Sequence, residues 1–209
     1  MHPTRQKLLD TGLALASEKG LRGLTVRELA AAAGVNLGTF VYHFGNRDAF
    51  IGELVELWYV PLFEDLKAVA ARGAYPSALA AFEATMQALI TLVGRQRGFV
   101  NHLLGDAMAG EAAAQRFLLS LPERHPLLLF ELIRRAQAEG SLVAGHPLQL
   151  MIFVMGAVGL PLVIAGGGRQ LAWLPEQATP FMAQLDNPEA AMQRLAWALR
   201  GLRPQGDPL

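Results

Sequence analysis

Between Thr25 and Phe44 the sequence sets two helix starts on either side of one glycine, and this punctuation constrains the fold more than any other feature of the chain. Thr25 and Glu28 make the Thr-x-x-Glu pattern of a capping box, in which each side chain satisfies a backbone donor at the first turn of a helix. The helix that follows carries Val26, Leu29, Ala30 and Ala33 toward a core and stops at Gly34, a residue free to take the positive φ of a tight turn. Asn36 then supplies a second N-cap, ahead of a helix over Leu37 to His43. Two such short helices joined by a glycine-containing turn outline a helix-turn-helix. Neither persists alone, because nucleation is costly over about two turns. A preceding helix over residues 3–19, apolar at Leu8, Leu9, Leu13, Leu15 and Ala16 and ended by Gly20, supplies the lid they need.

Downstream, Asn46 caps a long helix that runs to about Arg72 and holds Pro61, which predicts a kink near Leu57. Gly73, Tyr75 and Pro76 end it. The periodicity then predicts helices over residues 77–95, 99–108, 111–121, 126–139, 147–165 and 188–202. Between the last two, residues 166–187 hold three consecutive glycines and two prolines and predict an irregular connection with room for a short helix; the tail from Arg203 is expected to fray. Alanine and leucine abound, β-branched alternation is scarce, and the fold class is all-α.

Composition removes several chemistries. With no Cys there is neither a disulfide scaffold nor a thiol nucleophile nor a thiolate metal site. The five His (His2, His43, His102, His125, His146) fall in no His-x-x-x-His or Glu-x-x-His pairing, no Gly-x-Ser-x-Gly is present, and the Gly166 to Arg169 stretch lacks the Lys-Ser/Thr of a phosphate-binding loop. No catalytic residue, metal or cofactor is expected. Charges in the first ten residues interrupt any secretory apolar run, so a cytoplasmic protein is expected. Net charge is zero, yet residues 1–50 carry six basic side chains against four acidic ones, a tilt of +2 on the helix-turn-helix. Leu148 to Gly168 runs twenty-one residues without a charge, long enough to span a bilayer; Pro161, five glycines and basic flanks on both sides favour a helix buried on all sides.

The stretch "LTVRELAAAAGVNLGTFVYHFGNRDAF", Leu24 to Phe50, with "LALASEKG" ahead of it, resembles the DNA-binding head of the tetracycline-repressor (TetR/AcrR) family of bacterial transcriptional regulators. The resemblance covers about a quarter of the chain and implies residues 1–50 as a helix-turn-helix DNA-binding domain, with residues 51–209 as a helical effector-binding and dimerisation domain. It places Val35, Phe40 and Phe44 inward. Asn36, Leu37, Gly38, Thr39, Val41 and His43 are left for DNA. Arg27 matches a family position that reaches a base, where an Arg bridges guanine O6 and N7. Thr25 suits a phosphate, Thr39 a thymine methyl or a phosphate, Tyr42 and His43 the backbone, and Arg47 a phosphate beside the free amides of the next helix. Leu37 and Val41 depart from the basic or polar and aromatic residues common there, which favours thymine methyls over bidentate hydrogen bonds.

For the remainder, the resemblance implies a homodimer through 147–165 and 188–202, which makes the uncharged segment an interface helix. It also implies a repressor that leaves a palindromic double-stranded DNA operator when a small lipophilic effector binds. An apolar pocket with a few polar groups is expected. Met86, Phe99, His102, Met108, Phe130 and Phe153 are the candidate lining, with His102 as the polar contact.

Overall fold

The structure, a computed structural model, describes residues 3–73, 75–166, 185 and 187–204, with side chains of the last turn of the 147–166 helix left aside. Among the described residues every regular element is a helix. They are α1 (Pro3–Lys19), α2 (Val26–Ala32), α3 (Leu37–Phe44), α4 (Arg47–Ala70), α5 (Ala78–Arg95), α6 (Arg97–Met108), α7 (Ala112–Ser120), α8 (His125–Ala138), α9 (Pro147–Gly166) and α10 (Pro188–Gly201), with a 3-10 turn at Leu121–Glu123. These bounds follow the spacing-based expectations closely, and α4 continues through Pro61. The expected irregular connection and the far tail lie outside the described residues.

The chain divides into two compact units, one of residues 1–62 and 96–121 and the other of 63–95 and 122–209. In the first, α1 buries Leu8, Leu9 and Ala16, and α2 buries Leu29 and Ala30. The rings of Phe40, Phe44 and Phe50 meet pairwise at centroid distances of 4.8–5.4 Å. Such tilted and edge-on pairs stabilise beyond their buried area. Arg5 of α1 stands over the Phe44 ring at 5.0 Å, so α1 closes the aromatic cluster from outside. This supplies the lid that two helices of seven and eight residues require.

In the second unit α5 and α8 pack through Phe82, Met86 and Ile90 on one side and Leu129, Leu132 and Ile133 on the other. Glu139 accepts from the Ala78 amide at 2.7 Å and so caps the start of α5. α9 lies against α8 and α10, burying Leu150, Val154 and Val158 with Leu195 and Leu199. Arg194 donates to the Ala157 carbonyl at 3.0 Å, an internal use of its guanidinium, and burial holds its pKa below the usual value. Among the described residues no helix is long and apolar enough to cross a membrane, so the bilayer-span reading of 148–168 finds no support there.

Candidate nucleic-acid interface

The second helix of the head presents two unlike faces. Phe40 and Phe44, one turn apart, are buried, while Leu37, Gly38, Val41 and Tyr42 point away from them and are exposed. Tyr42 is 84% exposed and Val41 54%, on a helix of eight residues. Leu37, Val41 and Tyr42 together leave one apolar face of α3 open to water. Thr39 and His43 are intermediate, and the His43 ring stands edge-on to Tyr42 at 5.1 Å.

The local hydrogen bonds explain how the sequence builds this. Thr25 Oγ1 accepts from the Glu28 amide at 3.2 Å, and Glu28 turns its own carboxylate to Lys19, so the capping box is made from one side only. Asn36 Oδ1 accepts from both the amide and the hydroxyl of Thr39, at 2.8 and 3.0 Å. Thr39 therefore keeps its oxygen lone pairs for a further donor. Gly34 has φ +65°, the left-handed conformation that lets the chain reverse between α2 and α3. Arg27 is exposed and makes no hydrogen bond or ion pair among the described residues. Lys7, which sequence reasoning passed over, brings its ammonium to within 3.6 Å of where a Gly34 side chain would begin, adding a cation at the turn.

Arg47 departs from the phosphate role expected of it. Its Nε donates to the Leu24 carbonyl at 2.7 Å and its Nη2 to the Leu21 carbonyl at 2.7 Å, and the guanidinium also pairs with Glu111 at 3.1 Å. The donors that would meet a phosphate are engaged by the loop between α1 and α2 and by the residue capping α7. Asp106, near the end of α6, grips the same loop by accepting from the Leu21 and Arg22 amides at 2.6 and 3.3 Å. Gly20, with φ +82°, makes this approach possible: a Cβ there would stand 2.8 Å from the Asp106 carboxylate and 3.1 Å from His102.

The profile of the family described as Bacterial regulatory proteins, tetR family, matches residues 8–54, the span that contains α2, the glycine turn and α3. Residues 8–54 form a tetR-family head. The repressor KstR2 of Rhodococcus jostii is 33% identical over 87 residues, 42% of this chain and 40% of that protein. The repressor DhaR of a Mycobacterium species is 35% identical over 60 residues, 29% of this chain and 30% of that protein. The match thus spans less than half the length of these curated relatives. Across the whole fold, the structure of SmeT, the repressor of the Stenotrophomonas maltophilia multidrug efflux pump SmeDEF, superposes with a TM-score of 0.70 at 19% identity, covering 100% of this chain and 94% of SmeT. The complex of SmeT with triclosan gives 0.72 at the same identity, covering 99% and 94%. These structures share the all-α fold.

Outside this tetR-family head, the six effector-site candidates are divided between the two units. Phe99, His102 and Met108 lie on α6 in the first; Met86, Phe130 and Phe153 lie in the second. Phe99 and Met86 are buried, but Met108 is 90% exposed and Phe153 53%, so these two do not line an interior. His102 faces the end of α1 at Gly20. Trp58, which the sequence reading left out, packs its indole against Phe99 at 4.8 Å. On α9, Leu148, Ile152, Phe153 and Leu160 form one exposed apolar stripe, and Trp197 is exposed on α10.

Proposed function

We propose that the protein is a homodimeric DNA-binding transcriptional regulator of the repressor type, released from a palindromic operator by a small lipophilic effector. The observation that carries this reading is α3, which sets Leu37, Val41 and Tyr42 outward opposite the buried Phe40 and Phe44. A helix so presented enters a major groove with its N-terminal residues at base edges. In this reading Arg27, Asn36, Leu37, Gly38, Thr39, Val41, Tyr42 and His43 meet the duplex, and Thr25 meets a phosphate at the first turn of α2. Lys7 adds a cation to that surface. Arg47 acts from behind, by holding the loop that carries α2. Residues 1–50 are the DNA-binding part, and the rest binds the effector and the second copy.

The exposed stripe of α9 with Trp197 of α10 supports a dimer through 147–165 and 188–202, since a matching face would cover it. Two heads then read half-sites about one helical turn of DNA apart, roughly 34 Å. Of the relatives, KstR2 and DhaR are named as repressors and SmeT is known in complex with triclosan, which parallels an effector-released repressor. An effector acts by preferring the state whose head spacing does not fit the operator. A regulator of this kind works in the cytoplasm and does no catalysis.

Fluorescence anisotropy with duplexes from the region upstream of the gene tests this. The full chain is expected to prefer one near-palindromic segment over a scrambled duplex and to lose affinity steeply with salt. Arg27→Ala is expected to narrow that preference by about 1–3 kcal/mol, the range for one bidentate base contact. Equal binding to every duplex would overturn the reading.

A further inference from the structure

Trp58 lies on the part of α4 that belongs to the first unit, and its indole nitrogen is shut off from solvent with no hydrogen-bond partner among the described residues. The rest of the side chain stays partly accessible. Around it stand rings: Phe99 of α6 at a centroid distance of 4.8 Å, Phe117 of α7 at 6.3 Å, and Tyr59, itself edge-on to Phe117 at 5.1 Å. The two phenylalanines carry no acceptor, and an indole N–H can only donate. Buried donors are almost always matched, so an unmatched one requires an explanation. The same unit meets its other demanding groups closely, as the paired contacts of Arg47 and Asp106 show. A side chain kept for bulk alone would incur no such penalty as Phe.

We propose that Trp58 is the polar anchor of an effector site in the first unit, and that the site takes an aromatic molecule bearing one hydrogen-bond acceptor, such as a ketone or ether oxygen. The proposal rests on the effector-responsive reading above and names the class of its ligand. The Phe99 and Phe117 rings receive a planar apolar body edge-on or offset, and the indole N–H fixes its orientation through the acceptor. A ligand of the same shape without an acceptor leaves the donor unmatched. That difference, rather than size, sets the discrimination.

Benzophenone and diphenylmethane are a fitting pair of probes, alike in rings and differing in the carbonyl. Calorimetric titration of the full chain is expected to show benzophenone binding roughly three- to tenfold more tightly, as one net hydrogen bond gives, although transfer from water alone favours the hydrocarbon. In Trp58→Phe the preference is expected to vanish while diphenylmethane binding stays within about twofold, since the aromatic packing is kept. Should that variant fail to fold, the wild type decides by NMR. The chain has three Trp, and one indole N–H signal is expected to move downfield with benzophenone and to stay with diphenylmethane. Equal affinities, a preference that survives in Trp58→Phe, no responding indole signal, or no binding of either probe would each overturn the proposal. Duplex binding measured on the same preparation separates the two levels. A chain that takes benzophenone through Trp58 but ignores every duplex defeats the regulator reading alone, and one that binds duplex but neither probe defeats the anchor alone.

Discussion

Arg47→Ala separates a phosphate contact from an internal brace. The substitution removes two donors from backbone carbonyls at 2.7 Å and leaves Glu111, whose side chain is only 9% exposed, without its cation. A hydrogen bond involving a charged group contributes about 1.5–3 kcal/mol, and loss of one partner of a buried pair can exceed that. The Arg47 side chain is itself 33% exposed, so water replaces part of what is lost and the larger values do not apply. A destabilisation of about 3 kcal/mol follows, which for a chain of this size lowers Tm by roughly 6–12 °C. Circular dichroism melts read this directly. Glu111→Gln keeps an acceptor beside the guanidinium and is expected to cost less, and the double variant Arg47→Ala, Glu111→Ala is expected to cost less than the two single truncations together. Below the lowered Tm the salt dependence of duplex binding should keep its wild-type slope, whereas a lost phosphate contact reduces that slope by about one. An unchanged Tm together with a shallower slope would refute the brace and restore Arg47 to the DNA surface.

Ile152→Glu places a charge in the middle of the exposed stripe of α9; analytical ultracentrifugation is expected to show the wild type as a dimer and the variant as a monomer, and identical sedimentation of the two would count against this interface. Burial holds the His125 pKa down to about 4 from the ordinary 6.5. Between those values the unfolded chain binds a proton that the folded chain refuses, so stability rises with pH there and falls on acidification from about pH 6.5 to about pH 4, by up to about 3 kcal/mol. Urea melts across that range should show the slope in the wild type and a flatter one in His125→Gln; equal slopes would exclude His125 as its source.

The head was legible because its signals are local. Thr25 meets the amide of residue 28 and Asn36 that of residue 39, each within one turn, and a cap of that kind acts the same way in any surroundings. Gly34 answers to its own φ. The division of α3 into buried Phe40 and Phe44 and exposed Leu37, Val41 and Tyr42 follows from helical period once the direction of the core is known. The effector candidates fared differently. Apolar residues at helical spacing announce burial only on average, and Met108 and Phe153 are exposed where Phe99 and Met86 are buried.

What the order of residues determined unaided is therefore the set of helices and most of their caps and turns, because each depends on contacts within a few positions along the chain; the outward face of α3 needed the direction of the core as well. Tertiary structure alone decided the work of the long or titratable side chains. Arg47 finds its partners 23, 26 and 64 residues away, and Asp106 reaches a loop 85 residues before it. The indole nitrogen of Trp58 is shut off from solvent among rings brought in by α6 and α7. A guanidinium or an indole can serve DNA, a carboxylate, a carbonyl or a ligand with equal chemistry, and only the groups that folding sets beside it determine which.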